Sequence, residues 1–181
     1  KALQLDPLSS QVFYQKGLIY EEWDKREEAF EAYKEAIEIN PDHNDARLGL
    51  ASLYDKSVLN ELALEQYLKV AETIKNDPEL YFKIALEYWY LQDILKTAEY
   101  YNRVIELNKD HLQAHLNLVS VYERMKDWEK ALLEIKIVKQ LSSATQDQQA
   151  MKIAENKLKF IEGRMNLTKG DMKRKSEPPF D

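Results

Sequence analysis

Gly17-Leu18-Ile19-Tyr20 returns as Ala51-Ser52-Leu53-Tyr54, as Ala85-Leu86-Glu87-Tyr88 and as Val119-Ser120-Val121-Tyr122, each copy thirty-four residues after the last. A second column, Asn40-Pro41-Asp42-His43 against Asn108-Lys109-Asp110-His111, recurs at twice that interval, so the phase holds across the unit between them. Self-similarity at a fixed period of this length marks a stack of like units, each too small to bury its own apolar face. Within each unit the apolar residues fall at helical spacing in two blocks around a short polar break. That pattern predicts a helix, a turn and an antiparallel helix.

The boundaries follow from local chemistry. The first pair is expected at Gln11 to Glu22 and Glu28 to Ile39, with Ser9 or Ser10 as cap and Pro41 closing the second helix because proline cannot continue a helix interior. Asn44 is expected to cap the next helix. Asp77 with Pro78 opens the third pair in the cap-then-proline order, and the fourth pair begins near Leu112. Each helix should be about thirteen residues, roughly 20 Å long.

The residue types in phase are more specific than the period. Gly17, Ala51, Ala85 and Val119 precede the tyrosines Tyr20, Tyr54, Tyr88 and Tyr122 by three, and Ala29, Ala63, Thr97 and Ala131 follow them by nine. Tyr33, Tyr67, Tyr101 and Ile135 stand thirteen after, and Ala36, Val70, Val104 and Val138 three beyond those. Small residues let the helices of a pair approach closely and aromatics fill the gap between pairs. This pattern, over nearly all of residues 1 to 141, resembles the tetratricopeptide repeat family. The resemblance implies an all-α fold, a right-handed superhelical α-solenoid of antiparallel helix pairs. Two departures are local. The family's usual turn glycine is replaced by Asp24, Val58, Gln92 and Lys126, and Lys16 stands where the other copies have Leu50, Ile84 and Leu118, which implies a looser first unit.

On this alignment residues 1–7 are the end of a preceding repeat, with Ala2 to Pro7 in phase with Ala36 to Pro41. Repeats are expected at 10–43, 44–77, 78–111 and 112–145. A C-terminal capping helix follows at 146–168, running from Gln148 to about Leu167 after a Ser142 to Thr145 loop, with Met151, Ala154, Leu158, Ile161 and Met165 on its apolar side. A solenoid needs such a polar-backed end. Residues 169–181, with Gly170, Pro178 and Pro179, read as a disordered basic tail.

Composition narrows the function. With 181 residues and no cysteine, disulfides, thiolate metal sites and thiol nucleophiles are excluded. No stretch approaches the roughly 18 to 20 apolar residues of a membrane helix. The formal charge of −6 argues against a general nucleic-acid binder, because phosphate attraction needs a basic face. The charge is split: from Ala150 onward eight basic residues face five acidic ones, which leaves about −9 on the repeats. There is no glycine-rich phosphate loop and no histidine in a nucleophile motif, so no catalytic residue and no cofactor is assigned and the chain does not read as an enzyme.

In the family the first helices line a concave face. Read in phase, that face carries Tyr14, Leu18, Leu48, Phe82, Lys83, Leu86, Trp89, Tyr90, Leu116, Asn117 and Arg124, an apolar middle expected to hold a peptide or helix of a partner protein. The clamp with which some members bind chaperone C-terminal carboxylates is not met: its positions read Tyr14, Leu18, Gly49, Glu79 and Lys83. Lys83, Asn117 and Arg124 could still orient a carboxylate. His111 and His115, four apart on one helical edge, have metal-ligand spacing but no third ligand, and a packing role is preferred. The tail's Lys173-Arg174-Lys175 reads as a solvated linker, with the option that it folds into the acidic groove and sets Phe180 against the aromatics. The expected function is a non-catalytic protein-protein interaction scaffold. The alternatives are a structural assembly unit that self-associates through its N-terminal face, and the recruiting arm of an enzyme.

Overall fold

A computed structural model describes residues 7–176, with side-chain surroundings for 10–166. Among these are nine helices and no strand: an all-α helical repeat fold. The chain divides into two compact units, the first up to Asp93 and the second from Ile94. The first holds α1 (Pro7–Glu22), α2 (Arg26–Ile39), α3 (Asn44–Lys56), α4 (Asn60–Thr73) and α5 (Pro78–Tyr90). The second holds α6 (Ile94–Leu107), α7 (Leu112–Met125), α8 (Trp128–Thr145) and α9 (Gln148–Ser176).

Helix ends show why the sequence folds this way. Asp77 caps α5 by accepting from the Glu79 and Leu80 N–H groups, with Pro78 at the first helical position. At α3 and α7 the cap is not Asn44 or its counterpart but the histidine of the Asn-x-Asp-His column. His43 Nδ1 accepts from the Ala46 N–H at 3.3 Å, and His111 Nδ1 from that of Ala114 at 3.2 Å. Asn40 and Asn108 shape the approach, their side-chain oxygens accepting from the Asp42 and Asp110 N–H groups. Asparagine turns the chain and histidine starts the helix, so the column is one device used twice. Ser10 is no cap either: α1 begins at Pro7, and buried Ser10 Oγ donates to the Ala36 carbonyl at 2.9 Å.

Asp24, Val58, Gln92 and Lys126, the four replacements for the family's turn glycine, all have left-handed backbones, with φ of 54°, 59°, 65° and 60°. Each turn closes the same way, the next residue's N–H reaching back to the carbonyl of Tyr20, Tyr54, Tyr88 or Tyr122 at 2.8–2.9 Å. This satisfies the orphan carbonyls of the helix end. A fifth such residue, Gln146 (φ 58°), ends α8. Accordingly Ser142 to Thr145 is the last turn of α8, not a loop. Helix α9 runs on to Ser176, so residues 169–176, expected in an unstructured tail, are helical, and 177–181 lie outside the described residues.

The core of the first unit is built on Tyr33. Its ring is fully buried with Ala29, Ala36, Ala46, Leu50 and Leu53, while Phe13, Tyr14, Leu18, Phe30 and Tyr54 pack around them. Gly17 and Gly49 hold this ring from two helices: a Cβ at either would collide with it, at 2.6 Å for Gly49. The fully buried column is Tyr33, Tyr67 and Tyr101, at 0–1% exposure. Tyr20, Tyr54 and Tyr88, which identify the repeat, are only half-buried. Lys16 lies exposed over the Phe13 ring at 4.6 Å. In the second unit Leu118, Val119, Val121, Ala131, Ile135 and Val138 are buried, as are Ala150, Ala154 and Ile161 of α9.

Candidate functional site

Three first helices, α1, α3 and α5, lie side by side in the first unit. Lys56 of α3 donates to Glu21 of α1 at 3.0 Å, and Asp55 of α3 meets Glu87 of α5. This face carries eight of the eleven residues read from the sequence. Tyr14, Leu18, Leu48, Phe82, Leu86 and Trp89 are half-buried, Lys83 is exposed and Tyr90 is 53% exposed. Tyr14 is held from below, its ring 6.0 Å from Tyr33 and 5.1 Å from His43. Lys83 spreads over the Tyr67 ring, 5.7 Å from its centroid. Leu116, Asn117 and Arg124 belong to α7 in the second unit, the first two half-buried and Arg124 exposed.

Asn117 is already committed within its own unit. Its Nδ2 donates to the Tyr101 hydroxyl at 2.7 Å and its Oδ1 accepts from Gln113 at 2.9 Å, so it braces a core tyrosine instead of awaiting a carboxylate. The histidine pair is likewise structural. His111 Nδ1 caps α7, and buried His115 places Nδ1 2.6 Å from Glu134 and Nε2 3.0 Å from the Lys109 carbonyl. The Lys109 carbonyl can only accept, so Nε2 donates to it, and Nδ1 is engaged by the Glu134 carboxyl, which leaves neither nitrogen turned to a metal. Burial alone would lower its pKa; the bonds to Glu134 and the Lys109 carbonyl outweigh this and raise it. Among the described residues no cluster of three or more metal-ligating side chains occurs.

Below the apolar surface runs a line of carboxyl and phenol groups. The Tyr33 hydroxyl donates to Glu21 at 2.5 Å, and burial together with that bond raises the phenol's pKa. Tyr67 is raised by burial and by the carboxylates Asp55 and Glu87. Glu87 is buried, and burial, then the charge of Asp55 and a hydrogen bond with it, push its carboxyl up to about 7. Sequence reading missed this acid because Glu87 occupies a position where α3 carries Leu53, on the packed side of the helix. It also missed an apolar hollow of about 460 Å³ between α2 and the α3–α4 turn, floored by Phe30, Leu53, Tyr54 and Leu62.

The tetratricopeptide repeat profile matches residues 10–43 and 78–111, the first and third units of the phase. Anaphase-promoting complex subunit 3 of Schizosaccharomyces pombe is 26% identical over 142 residues, which is 78% of this chain. The chain spans about a fifth of that protein, 21% of its length. Among solved structures, MamA is similar with a TM-score of 0.72 at 18% identity, covering 96% of this chain and 98% of that one. The first repeat domain of Spaghetti (RPAP3), solved bound to the HSP90 peptide SRMEEVD, is similar with a TM-score of 0.62 at 19% identity, over 69% of this chain and 99% of that one. Identities this low show the fold. No described helix is long and apolar enough to cross a membrane. The thirty-four-residue phase, its left-handed turns and its buried second tyrosine column meet the matched profile on one chain, which carries tetratricopeptide repeats at residues 10–43 and 78–111.

Proposed function

We propose that this is a non-catalytic protein-protein interaction scaffold that holds a peptide or helix of a partner on its first-helix face. The supporting observation is the ridge on α5. Phe82, Leu86 and Trp89 keep part of their surface outside the core and Tyr90 is more than half exposed, where the equivalent α3 residues are Leu48, Ser52, Asp55 and Lys56. An apolar ridge among polar neighbours is what a docked side chain needs, and a preorganised array loses little entropy on binding. The repeat domain of Spaghetti binds a chaperone peptide, but the clamp positions here lack its pattern, so a different peptide class is expected. Selection from a displayed random-peptide library tests the reading. Peptides captured by the wild type and lost by the Phe82→Ala, Trp89→Ala variant support it, and equal capture by the two proteins refutes it.

A second reading, self-association through the outer face of α1 and α2, is favoured by a hollow of about 390 Å³ there, lined by Phe13, Tyr20 and Ala32 with Glu27, Glu28 and Glu31 at its rim. Sedimentation across concentration tests it: a mass that stays monomeric counts against it.

A further inference from the structure

Glu21, Asp55 and Glu123 occupy one repeat position, each directly after its tyrosine. Two of the three have a lysine from a following helix. Lys56 of α3 reaches Glu21 at 3.0 Å, and Lys157 of α9 reaches Glu123 at 2.6 Å. Asp55 has none, because thirty-four residues after Lys56 stands Tyr90. Instead α5 sets a second acid, Glu87, against it. Glu87 is 1% exposed, and its Oε2 has no hydrogen-bond partner. A buried carboxyl oxygen without a donor is costly and rare in folded proteins, so it calls for a missing group. The groups that face it are Asp55 from α3 and Tyr67 from α4, while Lys83, one turn earlier on α5, turns its ammonium to the Tyr67 ring.

Building on the proposed peptide-binding face, we infer that Asp55 and Glu87 form a receptor for a cationic side chain, lysine or arginine, of the segment held along α1, α3 and α5. The cation takes toward Asp55 the place that Lys56 holds toward Glu21. Asp55 is exposed and is met first, while Glu87 behind it supplies the acceptor that lacks a donor. Empty, burial and then the neighbouring charge of Asp55 favour the protonated form of Glu87. A bound cation favours the ionised form of Glu87 and releases that proton. Binding at this site therefore strengthens as pH rises, and the bound segment is basic where chaperone tails are acidic.

Carboxyl-carbon NMR of the whole chain, titrated with n-butylguanidinium or n-butylammonium chloride, tests this without a partner. Sodium chloride at equal ionic strength is the reference. The expected result is a saturable shift of the Asp55 and Glu87 carboxyl resonances and a fall of the Glu87 titration midpoint by about one pH unit, a tenfold loss of proton affinity. Both effects should vanish in Asp55→Asn, and the probe that saturates at lower concentration tells arginine from lysine. Responses to both probes no larger than that to sodium chloride overturn the inference. Its failure is separable from that of the binding face: selected peptides that lack a basic residue sink the receptor alone, whereas a library that yields no peptide sinks the face and leaves the NMR result standing.

Discussion

At the scale of single residues, space decides effects whose sign propensity would get wrong. Glycine inside a helix costs about 1 kcal/mol relative to alanine. Gly163→Ala on α9, where a Cβ meets nothing within 4 Å, should recover roughly that amount. Gly49→Ala should do the reverse, losing about 1 to 3 kcal/mol because its Cβ overlaps the Tyr33 ring. Urea denaturation of the two variants checks both signs. Charge decides a second pair. Glu87 is raised from 4.5 to about 7, so the unfolded state gives up its proton first and stability falls as pH rises across that window. His115 is raised above 6.5, so its contribution is complete below that value and is lost as pH climbs through the folded-state pKa. Denaturation midpoints measured from pH 4 to 9 should fall with rising pH. Glu87→Gln should remove the slope between about 4.5 and 7, and His115→Gln the slope above about 6.5. Unchanged slopes would refute the two assignments. Neither acid partner was legible in the sequence. Nothing in the local sequence marks Glu134 or Glu87, and only the packing of neighbouring helices shows that they are enclosed.

Helices were legible where periodicity and caps agree, and the misses have one cause. Asp77-Pro78 was read correctly because its cap lies in the chain's most regular start signal. Asn44 is expected as a cap where His43 caps, and Ser9 or Ser10 where the helix already begins at Pro7, because polar side chains can cap or pack and sequence does not say which. The end of α8 was placed four residues early because serines read as loop, although buried Ser142 belongs to the helix. The same comparison of equivalent positions yields a test of the groove's charge pattern. Tyr90→Lys puts an ammonium where α3 carries Lys56, so it should pair with Asp55 and draw Glu87 down toward the ordinary carboxylate range, while Tyr90→Met should not. The gain in stability should stay below about 1 kcal/mol, as exposed ion pairs give little. The NMR titration midpoint of Glu87 is therefore the decisive readout.

The whole molecule was legible as an array from its period, because thirty-four-residue phase and small-residue columns are dictated by packing between neighbours. Which column lies deepest was not. The half-buried Tyr20 column announces the repeat, while Tyr33, Tyr67 and Tyr101 carry the burial. Truncation should therefore cost about 3 to 5 kcal/mol at Tyr33, by the measure of other large core aromatics. In a nearest-neighbour array the loss stays local. Hydrogen exchange of Tyr33→Ala should speed up in α1, α2 and α3 while α7, α8 and α9 keep their protection; uniform loss would show that the chain unfolds as one.

The left-handed turns have a consequence of another kind. Each holds a side chain where an L-residue pays about 1 to 2 kcal/mol, most sharply at the β-branched Val58. Four of them lie in separate turns thirty-four residues apart, so their effects are expected to add. The protein thus carries an untapped reserve. Glycine at 24, 58, 92 and 126 would raise its melting temperature in steps, without touching the face where a partner is expected to sit.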